Sequence, residues 1–139
     1  MSLCSARNSP ISVKSRLINV AGILSNNKAF ETSAAEWRKV HAVNYDSAFY
    51  LSKACMPHMV EQGWGRVVNL SSWAWKSGGL TAGTAYSASK AAVIGLTFSL
   101  ARQFALHPPR PCAHHGVRLH ISLPLPGILD TRECLRCFN

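Results

Sequence analysis

From residue 85 to residue 105 the chain is apolar almost all round: Ala88, Ala91, Ala92, Val93, Ile94, Leu96, Phe98, Leu100, Ala101 and Phe104 leave few polar positions. A helix of this kind is buried on more than one side, so the rest of the chain must supply layers for it. Gly95 lets something approach it closely. Near its start stand Tyr86 and Lys90, four apart. Residues four apart on a helix lie on one face, one turn from each other. A phenol alone titrates near pH 10 and is a poor acid–base group at neutral pH. A fixed cation beside it favours the phenolate and brings it toward the working range. Ser72, in the loop before the helix, carries a hydroxyl able to hold a carbonyl oxygen beside the phenol. Such a set suits proton transfer between a ketone and an alcohol. Tyrosine and lysine at this spacing also occur on many helices whose lysine is simply solvated, and spacing alone leaves both readings open.

The remaining elements read in order. Residues 1–16 show no periodicity and are expected to be irregular. Leu17–Val20 is a short apolar run ending at Ala21-Gly22, the pattern of a buried strand and a turn. Ser33 and Glu36 form a capping box. A helix is expected from there to Pro57, bending near Asn44, because asparagine competes for backbone groups inside a helix. After the Gly63-Trp-Gly65 turn, Arg66–Leu70 reads as a parallel strand covered on both faces. Ser71 and Ser72 follow it; if the strand ran on they would face opposite ways, so only one can serve a site. Trp73 and Trp75 lie in a glycine-rich loop, either as a substrate wall or packed under the loop. Prolines 108, 109 and 111 end the long helix, and Val117–Leu123 reads as a third strand.

Composition narrows the function. At 139 residues the chain has one domain's length, and 47% hydrophobic against 15% charged residues reads as globular. The net charge of +9 reflects six acids as much as 15 bases, and the bases are spread without a dense run. Nucleic acid is therefore not an expected partner; the charge suits a phosphate-bearing cofactor. No apolar run approaches the length of a membrane span. The first sixteen residues lack the apolar core of a secretory signal, although Arg7, Lys14 and Arg16 without acids resemble a transit peptide. The expected location is cytoplasmic, with an organelle matrix as the alternative. Five cysteines form no even disulfide framework. Cys134 and Cys137, with Cys112, His114 and His115 upstream, have zinc-ligand types but match no standard spacing, so no metal is expected.

Four segments in order, INVAG (18–22), VNYDSAF (43–49), GRVVNLSS (65–72) and YSASKAAVIGLTFSLA (86–101), resemble the short-chain dehydrogenase/reductase family, and its 3-oxoacyl carrier-protein reductases most. The resemblance runs from about Leu17 to Ala105, with a weaker echo at Val117–Thr131. It implies an oxidoreductase that uses NAD or NADP to interconvert a carbonyl and an alcohol. It also implies catalytic roles for Ser72, Tyr86, Lys90 and Asn44. Tyr86 would give the proton, Lys90 would favour the phenolate and bind the nicotinamide ribose, Ser72 would orient the carbonyl, and Asn44 would hold a relay water. The cofactor would also meet Asn19, Ala21, Gly22, Pro126, Gly127 and Thr131. One asparagine of the usual Asn-Asn-Ala-Gly is Val20 here, and Leu125 stands where asparagine usually precedes the proline. Helices 34–57 and 85–105 would form a homo-oligomer interface.

The family opens with a strand, a Thr-Gly-x-x-x-Gly-x-Gly turn and a helix that hold the cofactor pyrophosphate. This sequence contains no such turn. The expected fold is therefore α/β, a partial doubly wound parallel sheet of Rossmann type lacking the first βαβ unit. It should span residues 17–131, with an irregular tail at 132–139. The alternative function is a truncated, inactive family remnant that at most pairs with a full-length relative.

Overall fold

The computed structural model describes residues 15–105, 117–122 and 129–130. Strand β1 (Arg16–Asn19) leads into a long loop. Helix α1 (Ala34–His41) follows, then a π-helical turn at Ala42–Asp46, then α2 (Ser47–Glu61). Strand β2 (Gly65–Leu70), a short α3 (Ala74–Ser77) and the long α4 (Thr84–Ala105) come next. Strands β3 (Val117–Ser122) and β4 (Leu129–Asp130) complete the described set.

The sheet order is β1-β2-β3-β4. The first three strands are parallel, with Asn19 beside Asn69 and Val67 beside Leu119. This is the α/β, Rossmann-like partial sheet expected from the sequence. β4 runs antiparallel to β3, pairing Asp130 with His120. Nothing in the sequence marks it, because a two-residue strand is too short to carry periodicity and lies where a loop is expected.

The core lies between sheet and helices. Ala48, Met56 and Met59 of α2 meet Val67 of β2 and Leu96, Leu100 and Ala101 of α4, with Leu17 and Tyr45 packed against them. Burial alternates along β2: Gly65, Val67 and Asn69 are buried, while Arg66, Val68 and Leu70 are only partly covered. The long helix is buried over most of its circumference, but a stripe at Ala91, Gly95, Ser99 and Arg102 is open. A methyl at Gly95 would meet nothing within 4 Å among the described residues, so none of them makes the close approach expected there.

The second helix meets the expected irregularity at Asn44 and differs from expectation at its end, each for a physical reason. The bend expected near Asn44 is a π-turn, in which one extra residue is accommodated and the ladder shifts. The helix also runs one turn beyond Pro57, to Glu61. Proline removes one ladder bond, but Met56 and Met59 on either side of it are fully buried and hold the turn in place. The helix ends where Gly63 adopts φ 66°. There Trp64 N donates to Met59 O at 3.1 Å and Gly63 N to Val60 O at 3.0 Å, the paired bonds of a Schellman cap.

That cap delivers the chain into β2 directly under α2. A Cβ at Gly65 would lie 2.6 Å from Met59 Cβ and 2.7 Å from its Cγ. The helix can sit this close to the strand only because Gly65 has no side chain. Gly65→Ala is expected to destabilise the fold by about 1–3 kcal/mol through overpacking, read as a lower urea midpoint with unchanged slope.

Candidate active site

The site is built at the carboxyl end of β2 and the first turns of α4. Lys90 is buried, 3% exposed, and its Nζ donates to Leu70 O at 2.9 Å. In return Ser71 Oγ donates to Lys90 O at 2.8 Å. Strand end and helix thus exchange two bonds. Burial of the ammonium pushes the Lys90 pKa down from its ordinary value, because desolvation disfavours the charged form. Lys90 Nζ lies 5.8 Å from the centroid of the Tyr86 ring, and Tyr86 is half-buried. Phenol and ammonium therefore share one side of α4.

Asn44 joins them from the π-turn. It is 2% exposed, and its carboxamide clasps the backbone of Ile23: Ile23 N donates to Oδ1 at 2.7 Å and Nδ2 donates to Ile23 O at 3.0 Å. A second Nδ2 proton goes to Ser89 Oγ at 3.0 Å. Gly22 lies against both groups: a methyl there would be 3.4 Å from Lys90 Nζ and 3.6 Å from Asn44 Oδ1. Those are ordinary contact distances, so nothing among the described residues requires glycine at this position.

Ser72 sits two residues past the strand and is half-buried. Its Oγ accepts from Ala74 N at 3.3 Å, a long bond that leaves the hydroxyl proton uncommitted among the described residues. Ser71, by contrast, is buried and committed to Lys90 O, so of the two serines Ser72 keeps a usable hydroxyl. Ala21 and Gly22 are exposed at the end of β1. Asn19 turns inward and donates to Asn69 Oδ1 at 2.7 Å, so only its backbone remains for a ligand. Trp73 and Trp75 are 45% and 38% exposed and do not pack under the loop. Pro126, Gly127 and Thr131, and the cysteines and histidines of the sequence-level zinc candidate, lie outside the described residues. Among the described residues no cluster of His, Cys, Asp or Glu fits a metal ion, and no helix is long and apolar enough to cross a membrane.

The loop after β1 straps the start of α4, which sequence reasoning missed. Gly83 N donates to Ser25 O at 2.6 Å and Thr84 N to Asn27 O at 3.1 Å, using donors that a helix start leaves unpaired. A Cβ at Gly83 would lie 2.5 Å from Asn27 O, so glycine is required for this approach. Lys28 Nζ donates to Gly79 O at 2.8 Å and Ala82 O at 2.7 Å. Glu36 holds the strap from below, accepting from Ser25 Oγ at 2.5 Å and Asn27 Nδ2 at 2.8 Å. No sequence pattern announces bonds between loops more than 50 residues apart. A pocket of about 590 Å³ lined by Thr32, Ser33, Trp37, Arg38 and Thr84 opens beside the strap, away from Lys90.

With this geometry in place, comparison with known proteins is decisive. The family model described as short chain dehydrogenase matches residues 13–131. The chain belongs to the short-chain dehydrogenase family. It is 39% identical over 124 residues to the uncharacterized short-chain type dehydrogenase/reductase y4mP of Sinorhizobium fredii, covering 88% of this chain and 45% of that protein. Among solved structures, 3-oxoacyl-[acyl-carrier protein] reductase from Brucella melitensis superposes with a TM-score of 0.63 at 35% identity, over 66% of this chain and 36% of that one. 4-Hydroxyisoleucine dehydrogenase complexed with NADH superposes with a TM-score of 0.61 at 33% identity, over 66% of this chain and 40% of that one. The chain thus spans less than half the length of these relatives.

The strap makes stability depend on acid. Hydrogen bonds from Ser25 and Asn27, with a smaller contribution from the Ser33 backbone, hold the Glu36 carboxyl below its ordinary 4.5. A carboxylate depressed by folding contributes stability that is present above the unfolded value and lost as pH falls through the folded one. The melting-temperature gap between the native chain and Glu36→Gln should therefore hold steady above pH 4.5 and shrink below it. Thermal melts across that range check the sign.

Proposed function

We propose that this chain carries the proton-transfer centre of an NAD- or NADP-dependent oxidoreductase that interconverts a carbonyl and an alcohol. The observation that carries the reading is the buried ammonium of Lys90, 5.8 Å from the half-buried ring of Tyr86. In the reducing direction Tyr86 gives its phenolic proton to the carbonyl oxygen. Lys90, fixed on Leu70 O, places a positive charge beside the ring as that proton leaves. Ser72 donates its free hydroxyl proton to the same carbonyl oxygen and holds it in line. Asn44, next to Lys90 across Gly22, supports the path by which solvent returns the proton.

The exposed backbone at Ala21-Gly22 and the Lys90 ammonium beside it fit the ribose end of a dinucleotide. When bound, the nicotinamide supplies the hydride that reaches the carbonyl carbon. The glycine-rich turn that would cradle the pyrophosphate has no counterpart in this sequence. Carbonyl or alcohol substrates of small size are the proposed class, and the complex with NADH of a similar structure supports the cofactor class.

A second reading draws on the edges. β1 pairs only with β2 among the described strands, and Ile18 and Val20 are 61% and 57% exposed. On α2, Tyr50 and Leu51 are exposed, and on α4 the Ala91-Gly95-Ser99 stripe is open. These faces suit association, either with a second copy through the two long helices or with a longer relative by a chain that is itself inactive.

Titration of the purified chain with NADH and NADPH separates the readings. Saturable binding near micromolar concentration, with turnover abolished by Tyr86→Phe while binding persists, is expected for the enzyme. Turnover retained in Tyr86→Phe would refute the assignment of the acid. Absence of saturable binding would leave the inactive associating chain.

A further inference from the structure

We propose that Ser89 is a positioning residue that, together with the Ile23 backbone, holds the Asn44 carboxamide one way round, so that Asn44 can only accept a hydrogen bond at the opening beside Lys90. The proposal rests on the reading of Tyr86, Lys90 and Asn44 as proton-transfer machinery.

The number of protons available decides the direction of each bond. Ser89 is fully buried, and its hydroxyl donates its single proton to Tyr86 O at 2.7 Å. Toward Asn44 that oxygen can therefore only accept, which it does from Nδ2 at 3.0 Å. The other Nδ2 proton goes to Ile23 O at 3.0 Å, and Ile23 N donates to Oδ1 at 2.7 Å. Reversing the carboxamide would set NH2 against the Ile23 N–H and place Oδ1 against two acceptors. Both conflicts would be buried, where an unmet donor or acceptor is costly.

In the observed orientation both Nδ2 protons are committed, and Oδ1 has one lone pair left. Oδ1 and Lys90 Nζ both border the point where a Gly22 methyl would sit, 3.6 and 3.4 Å away. A group between them must therefore donate to Asn44, as a water can. The same hydroxyl ties this polarity to the backbone of Tyr86. The π-turn and the helix bearing the phenol are thereby locked together through one oxygen atom.

The chain supplies its own control. Ser87, two residues earlier on α4, is also buried, and its hydroxyl has no partner among the described residues. Asn69 supplies a reference carboxamide, fully buried and bonded to Thr97. In a 15N-labelled chain, Ser89→Ala should speed solvent exchange of the Asn44 Nδ2 protons about tenfold relative to those of Asn69, the effect of one lost hydrogen bond. Ser87→Ala should change neither, and Ser89→Thr, which keeps the hydroxyl, should restore the slow rate. If Asn44 and Asn69 quicken together in Ser89→Ala, or neither does, the proposal is overturned. Turnover is read separately. A native chain without turnover but with this exchange pattern loses the catalytic reading and keeps the positioning.

Discussion

A buried ammonium held on the last carbonyl of a strand is the interaction on which the rest of the structure depends. Lys90 has almost no contact with water, and a charge removed from water is costly unless it is bonded. Leu70 O meets that need at the end of β2, and Ser71 returns a bond to Lys90 O. The start of α4 is therefore registered against the end of β2 by chemistry as well as by packing. Everything else at the site is positioned relative to that joint: Tyr86 one turn earlier, Ser72 two residues past Leu70, and Gly22 against the ammonium.

The two ends of α4 are held differently. Toward its C-terminal half, Leu96, Leu100 and Ala101 contribute apolar burial against α2 and β2, which resists separation but specifies position loosely. At its N-terminal end the contacts are polar and directional: Ser25 and Asn27 carbonyls on helix donors, Lys28 on two loop carbonyls, Ser89 between Asn44 and Tyr86. Apolar packing keeps the layers together, while hydrogen bonds set angles. A site that must hold a phenol and an ammonium in fixed relation needs the second kind, and that is the end where it lies.

Much of this was legible in the sequence where a single element carries its own signal. A stretch apolar almost all round marked α4, the continuous apolar run marked β2, and Asn44 marked the irregular turn. Helix spacing puts Tyr86 and Lys90 on one side, and the resemblance to the family singled them out as a candidate pair. What could not be read were relations between segments. The resemblance singled out Ser72 over Ser71, but the physical reason lies in the path of the chain past Leu70, which commits Ser71 to Lys90 O. Ser89 reads as a small helix residue until the π-turn brings Asn44 to it. The helix passes Pro57 because two methionines are buried around it, an effect of tertiary packing that overrides a local breaker.

The same logic of committed protons runs through the interior. Asn19 and Asn69 are neighbours in parallel register, and Asn19 Nδ2 donates to Asn69 Oδ1. Asn69 Nδ2 donates to Thr97 Oγ1, which donates to Val93 O. The direction of this chain is forced from one end. Val93 O is an acceptor, so Thr97 must donate to it and accept from Asn69, and Asn69 must accept from Asn19. The sequence of donors ends in Asn19 Oδ1, buried with no partner among the described residues. Orienting both amides toward α4 leaves one acceptor unmet at the edge strand, a cost of about 1–3 kcal/mol. The layers are thus stitched by polar bonds whose polarity is set on the helix, and the unmet group falls where the sheet has no further described strand.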